Sequence, residues 1–108
     1  MTSLKDKTCV PCEGGVRPFS NDESEAHMKE ISNRWKLFDK KIIAEFTFKN
    51  FREAVGFVNR VAELAEQEGH HPDIEVHYNK VKLILWTHAI GGLSENDFIL
   101  AAKIDEIL

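Results

Sequence analysis

Stretches of the chain in which apolar and polar residues alternate are interleaved with stretches in which apolar residues return every three or four positions. Ile42, Ala44, Phe46 and Phe48 occupy alternate positions, the period that places side chains on one face of a strand. Trp35 to Phe38 is similarly apolar and is separated from them by Asp39, Lys40 and Lys41, so 35–38 and 42–48 are expected to form an antiparallel hairpin. Phe51, Ala54, Val55, Val58, Val61, Ala62 and Ala65 then recur at helical spacing behind Asn50 and Glu53, a pair that can cap the first turn. Gly69 suits the left-handed position just past a helix end, and Pro72 restricts His71 to extended backbone, so this helix is expected to stop before His70 and His71. Ile74, Val76 and Tyr78 alternate with Glu75 and His77, and after a turn near Asn79 the run Val81 to His88 reads as the partner strand of a second hairpin. Gly91 and Gly92 interrupt it. Ser94 with Asp97 opens a last helix whose apolar face is Leu100, Ala101, Ile104 and Leu108.

Ahead of the first hairpin, Ser20 and Glu23 form a further capping pair, and helix is expected to run to about Ser32. Residues 1–19 carry Pro11, Gly14, Gly15 and Pro18 with little apolar periodicity and read as an irregular N-terminal arm, with the folded domain at 20–108. The predicted order is α-β-β-α-β-β-α. Two hairpins with helices between them imply an α+β fold, a single domain with a four-stranded antiparallel sheet and its helices packed on one face.

The length of 108 residues suits one domain, and a core this small gains from homo-oligomerisation. A formal charge of −4, from 14 Lys and Arg against 18 Asp and Glu, gives no electrostatic reason for direct nucleic-acid or acidic-membrane binding. No apolar run approaches the roughly 20 residues of a membrane-spanning helix, and 1–20 lacks the apolar stretch of a secretory signal, so a cytoplasmic protein is expected. Cys9 and Cys12 are too few for a disulfide framework and are read as reduced. A lone Cys-x-x-Cys is half of a structural zinc site, and the arm lacks the βαβ setting of a redox pair, so no chemistry is assigned to it.

The histidines are unevenly spread, with four of the five between His70 and His88. Imidazole titrates near neutral pH, so a pair can supply an acid and a base together, which loss of water from a substrate requires. Adjacent histidines in a turn are, however, commonly no more than solvated surface residues. The wider spacing changes the weighting: Glu66, three residues, His70-His71-Pro72, five residues, Tyr78, nine residues, His88, eight residues, Asp97.

That series resembles the signature of the pterin-4a-carbinolamine dehydratases at each specified position, seven identities over 32 positions. Chain length and element order resemble that family too, and Cys9-Val10-Pro11-Cys12-Glu13-Gly14-Gly15 is similar to the arm of some of its members. The resemblance implies an enzyme that expels water from a 4a-hydroxytetrahydropterin to give the quinonoid dihydropterin, in tetrahydrobiopterin recycling for aromatic amino acid hydroxylases. It implies His70 and His88 as the acid–base pair and His71 as the residue that holds the pterin. No metal or organic cofactor is implied, because the pterin is the substrate. Glu66 and Asp97 would orient histidines, although a solvated helix acid and a helix-capping residue explain them equally well. Pro72 would hold His71 in place, and Tyr78 and Trp86 would stack on the flat ring unless they simply pack. His77 lies outside the signature. By the same resemblance the protein would form a homodimer by joining sheet edges, or a homotetramer through Phe51 to Glu68.

Two other readings compete. Relatives in this family also act as binding modules, as a dimerisation cofactor for a homeodomain transcription factor or as an enzyme-assembly protein, so a non-catalytic or bifunctional role with a protein partner is the alternative. A hydrolase using three histidines on a metal is disfavoured because no His-Glu-x-x-His motif is present.

Overall fold

The computed structural model describes residues 3–10 and 17–108, so Cys12 and most of the glycine-containing part of the arm lie outside the described residues. Helix α1 spans Asn21–Met28, strands β1 Lys36–Phe38 and β2 Lys41–Thr47, helix α2 Phe51–Glu68, strands β3 Asp73–His77 and β4 Lys80–Leu85, and helix α3 Glu95–Glu106. The strands form one antiparallel sheet in the order β1-β2-β4-β3. The expected α-β-β-α-β-β-α order and single-domain α+β class are therefore what the molecule has.

Period-two patterning decides which side of the sheet is buried. Ile42, Ala44 and Phe46 of β2 and Val81, Leu83 and Leu85 of β4 are buried, and the register pairs them on one face. The helices lie against that face. The buried stripe of α2 is Ala54, Phe57, Val61 and Ala65, turned slightly from the expected one: Phe57 enters the core while Phe51 and Ala62 are exposed and Val55 and Val58 half-buried.

Three element ends differ from expectation. Helix α1 stops at Met28 rather than Ser32, because the Ser32 backbone N–H and hydroxyl both donate to Asp105, at 3.1 Å each, which competes with helical bonding. Strand β4 stops at Leu85 because β2 and β3 supply no partner beyond it. His88 consequently lies in a 3-10 turn, His88–Ile90, and the Thr87 N–H bonds to the Gly92 carbonyl instead of to a strand. Tyr78 is not a strand residue but takes the left-handed conformation (φ 54°) in the β3–β4 turn.

Helix α3 is buried on more than the one face expected, at Phe98 and Ile99 as well as at Leu100, Ala101 and Ile104, whereas Leu108 is 51% exposed. The arm and α1 are the reason, with Phe98 packed against Phe19 and His27. Leu4–Asp6 makes a 3-10 turn, Leu4 and Cys9 are buried in the core cluster, and the segment runs back along α3. Lys5 pairs with Glu106 near the end of that helix and Lys7 with Glu95 at its start.

Candidate functional site

The site forms where α2 ends and α3 begins. Gly69 in the left-handed conformation (φ 65°) terminates α2, and His70 N–H returns to the Ala65 carbonyl at 3.2 Å, the bonding that closes a helix C-terminus. His70, His71 and Pro72 then lead into β3. On the opposite wall, the end of β4 delivers Trp86 and the 3-10 turn delivers His88. The cleft between them has a volume of about 350 Å³ and is lined by Gly69 to Asp73 and Trp86 to Ala89.

Each histidine has a different partner. His70 is the sheltered one: its Nε2–H donates to Asp97 Oδ1 at 2.6 Å, with 11% of its side chain exposed and none of Asp97's. A carboxylate only accepts, so this bond fixes the tautomer and leaves Nδ1 as the nitrogen that can exchange a proton. His71 Nε2–H donates to Glu66 Oε2 at 2.5 Å, but both side chains are largely in solvent. His88 stacks on Trp86, ring centroids 4.0 Å apart, and its Nε2 lies 3.9 Å from Asp73 Oδ2. Trp86 is held from both sides: its indole N–H donates to Asp73 at 3.2 Å, and Lys41 Nζ sits 5.1 Å from its ring centroid, within cation–π range.

Behind His70 lies a buried polar network. Asp97 Oδ2 accepts from the Thr87 hydroxyl at 2.8 Å and from the Ser94 N–H at 3.0 Å. Thr87 also bonds Ser94 Oγ at 2.8 Å. Its backbone starts the turn that carries His88, so one residue supports both walls of the cleft. Gly92 is required for that bridge, since a Cβ there would approach Pro18 Cβ to 2.8 Å.

The structure thus brings together His70, His71, Pro72, Trp86 and His88, and sets Asp97 and Glu66 behind two of the histidines. Tyr78 is not among them. It sits at the far end of the β3–β4 hairpin, 67% exposed, while Asp73 at the near end lines the cleft. His77 is exposed beside Glu75. Asp73, Lys41 and Thr87 went unnoticed in the sequence. Asp73 directly follows Pro72 and Thr87 directly precedes His88, so adjacency to the histidines was the available signal; for Lys41 none existed, because its reach to Trp86 depends on the β2–β4 register. Among the described residues, no three His, Cys, Asp or Glu side chains are grouped so as to hold a metal ion.

The profile of the pterin 4 alpha carbinolamine dehydratase family matches residues 17–107. The chain belongs to that family. A curated protein of Nitrosomonas eutropha, provisionally named a pterin-4-alpha-carbinolamine dehydratase, is 50% identical over 97% of this chain and 93% of its own. One of Alkaliphilus metalliredigens with the same provisional name is 46% identical over 98% of this chain and 96% of its own, a span that takes in the arm. Among solved structures, a transcriptional coactivator/pterin dehydratase from Brucella melitensis superposes with a TM-score of 0.78 at 31% identity, covering 84% of this chain and 98% of that one. The fold is that of a carbinolamine dehydratase family member.

Proposed function

We propose that this chain is a 4a-hydroxytetrahydropterin dehydratase. The observation that carries the proposal is the pairing of a buttressed, sheltered His70 with a stacked, exposed His88 on opposite walls of one cleft. Loss of water from carbon 4a needs two proton movements: one histidine protonates the departing hydroxyl as the carbon–oxygen bond breaks, and a base accepts a proton from the pterin ring. The products are water and the quinonoid dihydropterin, so atoms and charge balance. General acid–base help typically contributes about 100- to 10,000-fold, which two imidazoles can supply. His71, exposed and oriented by Glu66, is suited to holding the ring, and Trp86, stacked on His88, lines the same cleft. The chemistry calls for no metal or organic cofactor. The exposed β3 edge and the exposed Phe51 on α2 are surfaces on which a homodimer or homotetramer would form.

Turnover of a 4a-hydroxytetrahydropterin by the purified protein tests the reading. His70→Ala and His88→Ala should each lower kcat, since each group acts as the bond breaks, and His71→Ala should chiefly raise KM. The double variant His70→Ala/His88→Ala should be inactive. A folded double variant with near-normal turnover would overturn the assignment. A partner-binding role is the second reading, favoured by the Brucella relative's description as a coactivator; wild-type protein that binds a pterin without turning it over would promote it.

A further inference from the structure

The His70–Asp97 pair spans the two least secure points of any helical protein. His70 lies just beyond the C-terminus of α2 and Asp97 in the first turn of α3, and helix termini are where backbone groups lack intrahelical partners and where fraying begins. Something must hold the two ends together if a 2.6 Å contact is to persist. The arm crosses this junction. The Cys9 N–H donates to Glu68 Oε1 at 2.8 Å, and Glu68 is the last residue of α2. One residue on, the Val10 N–H donates to Asn96 Oδ1 at 3.0 Å and the Val10 carbonyl accepts from Asn96 Nδ2 at 2.5 Å. Asn96 immediately precedes Asp97. The Cys9 thiol adds a bond to the Asn96 carbonyl at 3.5 Å, and Lys103, 3.7 Å from Glu68, donates to the Lys5 carbonyl at 3.0 Å.

We infer that residues 4–10 are a strap that sets the position of Asp97 against His70, with Glu68 and Asn96 as positioning residues for the dehydration. The family profile starts at residue 17, so the strap lies outside the segment that defines the family. Its action follows from geometry. Both anchors are side chains, 10% exposed in Glu68 and buried in Asn96, and each sits within two residues of one member of the pair. Neither touches the cleft, whose lining includes no arm residue among those described. Loosening the strap should therefore misplace the proton-transfer group without removing a substrate contact. A misplacement of about 1 Å can cost on the order of 100-fold in rate.

The inference rests on the dehydratase reading, and its test separates the two. The double variant Glu68→Ala/Asn96→Ala is expected to lose roughly 10- to 100-fold in kcat, with KM within about twofold. Glu68→Gln, which keeps the acceptor for the Cys9 N–H and loses only the charge, should retain kcat to within about threefold. Val10→Pro, at a position 65% exposed, removes one N–H without entering the core and should give an intermediate loss. The second readout needs no turnover. An imidazole N–H in a 2.6 Å bond to a buried carboxylate gives a downfield, slowly exchanging proton resonance, identified by its absence in Asp97→Asn. It should survive in Glu68→Gln and broaden or vanish in the double variant. A double variant that melts earlier yet keeps both kcat and the resonance would reduce the arm to a stabilising contact and overturn the inference. So would Glu68→Gln losing as much as the double alanine variant, since charge and not the strap would then be at work. Wild-type protein without turnover would defeat the dehydratase reading, and the resonance would still decide the strap.

Discussion

Asp97→Asn, set beside Glu66→Gln, separates a carboxylate that shapes the chemistry from one that merely touches a histidine. The two pairs have the same chemistry and nearly the same length, 2.6 Å for His70–Asp97 and 2.5 Å for His71–Glu66. They differ in burial: side-chain exposures are 11% and 0% in the first and 61% and 77% in the second. A solvent-exposed pair is worth about 0–1 kcal/mol, so Glu66→Gln should change any kinetic constant by no more than about fivefold. A hydrogen bond to a charged group out of water is worth about 1.5–3 kcal/mol, and at about 1.4 kcal/mol per factor of ten Asp97→Asn should lower kcat about 10- to 150-fold. KM should stay within about threefold, because Asp97 is fully buried and cannot meet the substrate. An amide at 97 must also present a donor toward either His70, Thr87 or Ser94, so the first turn of α3 weakens by about 1 kcal/mol, a fall in Tm of about 4–8 °C for a domain of this size. Steady-state turnover and thermal unfolding, measured on both variants together, check each figure. Equal and small kinetic effects from the two substitutions would refute the reasoning, since burial would then confer nothing and His70 would not be the proton-transfer group.

Thr87→Val keeps the shape of a buried side chain and deletes the donor to Asp97; stability should fall by about 1.5 kcal/mol or more, with a smaller loss of kcat than in Asp97→Asn because the carboxylate remains. Burial, followed by the nearby Glu68 carboxylate, pushes the Cys9 thiol up to about 12. Since the thiolate is the reactive form, alkylation of Cys9 in the folded protein, followed by peptide mass spectrometry, should be negligible at pH 8, rise with pH toward 12, and become fast only on unfolding. Rapid labelling at pH 8 in the native state would show that the strap opens freely.

The parts of the fold that follow from periodicity are legible in the sequence. Helix α2 is an example, since its apolar repeat, Asn50 cap and Gly69 terminus all point to one answer, and the helix observed is Phe51–Glu68. Where the ends of elements depend on distant partners, local pattern could not suffice. Ser32 is helical by sequence but is captured by Asp105, 73 positions along. Val81 to His88 reads as one strand by sequence, but a strand extends only as far as its neighbours. For the same reason the histidine cluster was legible and its machinery was not. Spacing marks His70, His71 and His88, but only the packing of α3 against α2 shows that His70 is sheltered and His71 is not. Tyr78 is the opposite case: a signature position that lies in the β3–β4 turn, exposed, and outside the cleft lining.

Two explanations of Asp97, helix cap and partner of a histidine, compete in the sequence, and the structure has both contacts in one side chain. The carboxylate divides its oxygens, Oδ2 toward the Ser94 N–H and the Thr87 hydroxyl, Oδ1 toward His70. The cap is what makes the histidine contact directional: with Oδ2 held by two donors the carboxylate plane cannot turn, so Oδ1 is fixed relative to the start of α3. Positioning that would otherwise cost side-chain entropy in a flexible pair is thereby supplied by folding of the helix itself. His71 has no such arrangement among the described residues, since Glu66 is held there only by its own helix and by His71 and is largely in solvent. On the proposed dehydratase reading, this asymmetry suits the two histidines to different roles. A group that must deliver a proton along a fixed line suits the rigid, capped position, whereas a group that follows the substrate in and out of the cleft suits the exposed one.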